Sequence, residues 1–403
     1  MKIFGNCFFI WVGMLFLAGC SKEKGSEPAL GNGYIHFGVP AVTVETRATE
    51  GFIEGKLPGG ASFGVLGYCL AYNPGTTAYN PNSGTSLWRI KSALCPPSVF
   101  YKQEVRLDES GEYATYDNPK RWYTDGPNSD LGNVTLSRTD EYQYTFFAYY
   151  PYDGNFDIKP GNATTAGTPV ITYSMPYEED EKVIRDFDTR MPDPMLAVTY
   201  NVQRDRRMVG FNFFHITTGL GFQVNNYSQV GETVVDEGDE GVNLVIYSIK
   251  LKGTFFRSVT ANMAGAAVEI SYDRGDTYTA TYVLYDNPDG TVVPWQQDGS
   301  EGSISLEPEK YVRLLSGNEA DGIFGPENDI QVLVEYQLGN NEGKVEEINR
   351  PASFVPSPGT RYTAQLNWVN NAFVLIMQPD NGDMWEDGEA VDGNEGNDDV
   401  IFE

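Results

Sequence analysis

From residue 51 onward the chain carries one dominant pattern. Short runs rich in β-branched and aromatic residues follow one another: SFGVLGYCLAY, EYQYTFFAYYPY, VGFNFFHI, LGFQVNNY, NLVIYSIKLKG, TYTATYVLY, IQVLVEYQL, RYTAQLNWV and AFVLIMQ. Such residues suit a pleated, half-buried surface. Turn clusters such as NPNSG, PDG, SGNEADG and LGNNEG separate them. No stretch keeps a capped 3.6-residue period, and only Thr217–Leu220 invites a helical turn. Many short strands between Gly, Pro and Asn turns predict an all-β fold of two tandem antiparallel β-sandwich domains.

Length agrees, since 403 residues make two to three domains. The polar segment NVQRDRRM sets the expected boundary, giving an N-terminal domain over 48–203 and a C-terminal one over 204–378. Residues 379–403 differ in character. They are acidic and Gly-rich, lack Lys and Arg, and hold Trp385, Val391 and a final Val400, Ile401 and Phe402. The segment is either a solvated tail or an extended donor that finds a groove on another subunit.

The N-terminus reads as an export signal. Met1-Lys2 leads into a short apolar run ending Leu17-Ala18-Gly19-Cys20, which looks like a bacterial lipobox. Residues 1–19 are the expected signal peptide, Cys20 the lipidation site and 20–33 a polar tether. Each buried methylene adds about 0.8 kcal/mol of membrane affinity, so two or three acyl chains anchor stably. Ser21, rather than Asp, favours the outer membrane. After the tether, Ile35, Phe37 and Val39 alternate, Pro40 shifts the phase, and Val42 and Val44 alternate again. Residues 34–47 are therefore a leader strand and a possible propeptide.

With Lys+Arg at 28 and Asp+Glu at 56, the formal charge of -28 repels phosphate backbones, which discounts nucleic acid. Of four cysteines, Cys69 and Cys95 remain once the signal and lipid sites are set aside. An oxidising compartment permits a disulfide between them, and two buried thiols fit equally well.

Catalytic chemistry is hard to assemble. Gly60-Ala61-Ser62-Phe63-Gly64 matches a nucleophile elbow, but a strand pattern follows the serine where a helix is required. The two histidines, His36 and His215, have no metal-ligand partners at suitable spacing. His215 falls in phase with Val209, Phe211 and Phe213, as a hydrogen-bonded strand residue would. No cofactor, metal or enzymatic activity is expected.

In order and spacing, VTVETRAT, ASFGVLGY, RWYTDG, EYQYTFFAYYPY, DPMLA, FNFFHITTGLGF and RYTAQLNWVNNAFVLIM resemble the fimbrillin (FimA/Mfa-like) lipoproteins that build type V pili. The resemblance implies Greek-key, transthyretin-like sandwiches and a subunit of a surface fimbrium. It implies a protease that cuts after an arginine, here Arg47, leaving Ala48 as the new N-terminus. Loss of the leader strand would then let a partner subunit's donor strand enter, with Trp385, Val391, Val400, Ile401 and Phe402 as candidates. Partners are then other fimbrial subunits, the processing protease and the membrane through Cys20. The location is the outer membrane, then the fimbrium. The alternative is a non-polymerising surface lipoprotein that binds glycans or host ligands through exposed aromatics, for which 25 Tyr and 6 Trp are available.

Overall fold

The computed structural model describes residues 34–42, 53, 55–71, 79, 97, 99–122, 142–159, 169–177, 182–191, 193–203, 208–227, 243–262, 269–294, 311–316, 330–338, 345–349, 356–369 and 372–379. The first half contains β1 (Ala41–Val42), β2 (Gly55–Lys56), β3 (Ser62–Ala71), β4 (Phe100–Leu107), β5 (Ala114–Thr115), β6 (Tyr142–Tyr150), β7 (Phe156–Lys159), β8 (Val170–Ser174), β9 (Val183–Ile184), the single-turn helix α1 (Phe187–Arg190) and β10 (Met195–Gln203). There follow β11 (Asn212–His215), β12 (Thr217–Asn226), β13 (Leu244–Phe256), β14 (Ser258–Asn262), β15 (Glu269–Tyr272), β16 (Thr277–Val293), β17 (Val312–Leu315), β18 (Gln331–Leu338), β19 (Val345–Asn349), β20 (Arg361–Val369) and β21 (Ala372–Pro379). The protein is an all-β sandwich fold. Thr217–Leu220 opens strand β12 rather than a helical turn. Its Gly219 and Gly221 disfavour a helix, and β17 and β20 pair with it on either side.

An eight-stranded sheet runs in the order β2-β1-β11-β10-β6-β3-β4-β5. Its middle strand β6 is buried along its whole length, because the aromatic-rich YQYTFFAYY serves two cores. Tyr144, Phe146 and Ala148 face one cluster with Phe63 and Val65 of β3. Phe147 and Tyr149 face the other with Leu66, Tyr68 and Leu70. Period-2 alternation makes this possible, and β3 keeps it throughout, Phe63, Val65 and Cys69 facing one cluster and Leu66, Tyr68 and Leu70 the other, while the bulge opposite Val65 and Gly67 lies in β4.

The second half is a sandwich. The sheet β19-β18-β13-β16-β9 packs on β17-β12-β20-β21. Across the interface Tyr336 meets Trp368 at 5.1 Å and Phe373 at 5.2 Å, and Phe222 meets Tyr285 at 6.1 Å between ring centroids.

Ladders cross residue 203, the expected domain boundary. β10 pairs with β11, and β8 pairs with β14 in a four-stranded sheet β15-β14-β8-β7. One buried apolar cluster runs from Leu66 to Phe373. The main chain therefore knits the two halves together.

Candidate functional site: the leader seam

Three side chains of the leader are buried in the first core: Ile35, Phe37 and Val42. Pro40 is buried as well, while Val39 is half-buried, so the inward phase moves from 35 and 37 to 40 and 42 across the proline. A proline lacks the N–H that would continue a ladder, which makes it a natural point for the shift.

The leader contacts both ends of the strand order. On one side it runs parallel to the segment entering β11. Val209 N–H donates to His36 O at 2.8 Å, Gly38 N–H to Val209 O at 2.9 Å and Ala41 N–H to Phe211 O at 3.0 Å. Ala41 and Val42 then stand opposite Asn212 and Phe213. On the other side it meets the chain after β5. Tyr34 bridges Arg121 antiparallel, and Ile35 N–H donates to Lys120 O at 2.8 Å. The Tyr116 hydroxyl accepts from Lys120 N–H at 3.1 Å and donates to Ile35 O at 2.7 Å. Burial raises the Tyr116 phenol above its ordinary value, so it stays a donor at neutral pH. The leader thus closes a seam around the first core.

Phe37 is the central plug. Its ring lies 5.5 Å from Phe100, 5.4 Å from Tyr116, 6.0 Å from Phe146 and 5.8 Å from Phe211. Burying three such apolar side chains contributes about 1.5–3 kcal/mol each. The seam's mouth is cationic. Arg121 lies over the Tyr34 ring, and Lys120 lies 5.1 Å from the centroid of Phe100 while its ammonium donates to Val99 O.

A family model described as Fimbrillin-like matches residues 128–375. The chain belongs to the fimbrillin-like family. That is not an enzyme family. The match excludes the leader, so the seam is this structure's own observation. A fimbrial protein from Bacteroides vulgatus ATCC 8482 is similar at 14% identity and a TM-score of 0.43, over 86% of this chain and 99% of that one. A provisionally assigned cell adhesion protein from Bacteroides ovatus ATCC 8483 is similar at 16% identity and a TM-score of 0.38, over 86% of this chain and 95% of that one. No curated protein matches the chain.

The remaining expected sites of this fimbrillin-like chain divide in two. Cys20, Arg47, Ala48, Cys95, Trp385, Val391, Val400, Ile401 and Phe402 lie outside the described residues. So do the signal peptide and the tether. Cys69 is buried on the inner face of β3, in the same cluster as Phe37. Ser62 starts strand β3, and its carbonyl accepts from Tyr152 N–H at 3.0 Å. That is not the strand–turn–helix of a nucleophile elbow. His215 ends β11 and its Nδ1 lies 2.9 Å from Asp193 Oδ1. Among the described residues no group of three or more His, Cys, Asp or Glu side chains is placed to hold a metal ion.

Tyr116, Lys120, Arg121 and Asp193 escape a reading of the sequence alone. RWYTDG and DPMLA appear there as motifs, yet nothing local says that their Arg121 and Asp193 meet the leader's neighbourhood.

Proposed function

We propose that this fimbrillin-like chain is a subunit of a surface pilus, delivered as a lipoprotein through Cys20 and matured by a cut after Arg47. The observation that supports this is the seam. Removing residues up to Arg47 would take out Ile35, Phe37 and Val42 and leave an apolar slot floored by four aromatic rings. It would also free Val209 N–H and the carbonyls of Val209, Phe211 and Lys120. Such an edge is a template for strand addition. A donor strand from another subunit fills it, with main-chain bonds for affinity and alternate side chains for register.

The tail offers a fitting donor. Val400 and Phe402 repeat the spacing of Ile35 and Phe37, and Asp398 and Asp399 precede them where the mouth carries Lys120 and Arg121. The acidic character of the tail then serves as complementarity to a cationic entrance. Trp385 and Val391 lie upstream along the same segment. The pilus reading places the protein at the outer-membrane surface, then in the fimbrium.

Both tryptophans of the described residues, Trp122 and Trp368, are buried, which weighs against an aromatic glycan platform there. N-terminal sequencing of surface-sheared material tests the proposal. Ala48 as the first residue supports it, and material that begins only at lipidated Cys20 overturns it.

A further inference from the structure

The carboxylate of Asp193 is buried, with both oxygens engaged. Oδ1 pairs with His215 Nδ1 at 2.9 Å, and Oδ2 accepts the backbone N–H of Ile53 at 2.9 Å. Asp193 is 2% exposed and His215 5%. A buried polar pair is weak evidence for stability as such, because apolar residues of similar volume usually serve as well. Its presence therefore asks for a positional role.

That role follows from location. β11 ends at His215, and Val42 of the leader stands opposite Phe213, so the leader's far end points toward this pair. β2 follows Ile53, is exposed, and pairs only with β1 in the strand order. If the leader departs, β2 loses its ladder. Two attachments on either side of β2 do not depend on the leader's main chain. One is the Ile53 amide on Asp193, and the other is Leu57, which is fully buried in the first core.

We propose that Asp193, oriented by His215, is a positioning residue that clasps Ile53 and keeps Ile53, β2 and Leu57 seated at the end of the slot when the leader leaves. Opening is then confined to the leader, and the Ile53 amide stays tied at the slot's end. The role rests on the maturation reading above, but the contact does not.

Hydrogen exchange by mass spectrometry on the uncut full chain tests it. Asp193→Ala should speed exchange at the Ile53 amide at least about tenfold, because the amide loses its buried acceptor. Asp193→Asn, with its amide oxygen turned to the Oδ2 position to accept from Ile53 N–H and its NH2 turned to His215 Nδ1, should restore most of the protection. Amides of β6 and β10 should not change. Unchanged exchange at Ile53 in a folded Asp193→Ala chain overturns the proposal, as does opening of β6 and β10 in step with Ile53. Should Asp193→Ala fail to fold, Ile53→Pro deletes the donor, and Ile53→Ala, which keeps the N–H, is the control for the side chain that packs against the first core. Tryptic cleavage after the neighbouring Lys56 should then rise about tenfold in the proline variant, and no rise overturns the clasp. Failure of Arg47 cleavage leaves these rates untouched, so the two readings fail separately.

Discussion

Tyr34 and Arg121 meet twice across the seam. The guanidinium lies 4.6 Å from the centroid of the tyrosine ring, and its Nη2 donates to the tyrosine hydroxyl at 3.1 Å. The contact fastens the first described residue of the leader to the chain after β5. It is exposed, so its strength is that of a surface cation–π pair. Arg121→Ala should lower stability by only about 0.5–1 kcal/mol. Exchange at the Ile35 amide should rise a few-fold while β6 keeps its protection. A larger global loss by urea unfolding would show Arg121 doing more than fastening the leader.

Phe37 is the opposite case, a fully enclosed plug. Phe37→Ala should cost about 3–5 kcal/mol, since the four surrounding rings cannot all collapse inward. Phe37→Leu should cost less, because more of the volume is kept. Denaturant midpoints for the two variants check the order. An equal, small cost for both would mean that the leader's side chains do not fill the first core.

Arg47→Ala should block maturation and leave the protein lipid-bound. Mass spectrometry of the membrane fraction should then find the acylated Cys20 peptide joined to the leader. Normal polymers from this variant would sink the donor-strand account.

The leader's phase was legible from the chain alone. Ile35 and Phe37 are buried as their alternation requires, Val39 of the same phase is only half-buried, Pro40 cannot continue a ladder, and Val42 is buried on the shifted phase, while Val44 lies outside the described residues. The strand runs and the all-β class were legible for the same reason, since period-2 patterning is local. What the pattern hides is pairing. Nothing near β8 announces that it joins β14 across 88 residues at Thr172 and Thr260. Thr217–Leu220 misled because TTGL carries no strong alternation, and its strand character comes from neighbours distant in sequence. Asp193 stands between Pro192 and Pro194, a signal of stiff extended chain, but its partners Ile53 and His215 lie 140 and 22 residues away.

Gly64 tests the close approach of β3 and β6. A Cβ at Gly64 would lie 2.0–2.4 Å from the Tyr149 ring and hydroxyl. Gly64→Ala should therefore destabilise by about 1–3 kcal/mol through overpacking. In a Tyr149→Ala background the same change should cost little, because the obstructing ring is gone. A double-mutant cycle measures the coupling. Equal costs in both backgrounds would place the strain elsewhere.

Tyr79 and Tyr200 stack at 4.7 Å with ring planes 28° apart. Tyr79 is fixed to β10 by its N–H, which donates to Asn201 Oδ1 at 2.7 Å. Asn201 can turn its side chain there because the strand bulges between Thr199 and Val202 and Asn201 adopts φ of 56°. Burial pushes the Tyr200 phenol up to about 12, and burial reinforced by Tyr200 pushes Tyr79 higher still. An acid whose folded pKa is raised keeps its proton when the unfolded chain has already lost it. Stability is therefore fully present below about pH 10, the ordinary tyrosine value, and falls as pH rises toward and through 12. Tyr200→Phe should flatten that fall, because one of the raised phenols is removed. Urea midpoints measured from pH 8 to 11.5 in both proteins decide the matter, and identical slopes would show that the stacked pair does not set the alkaline limit.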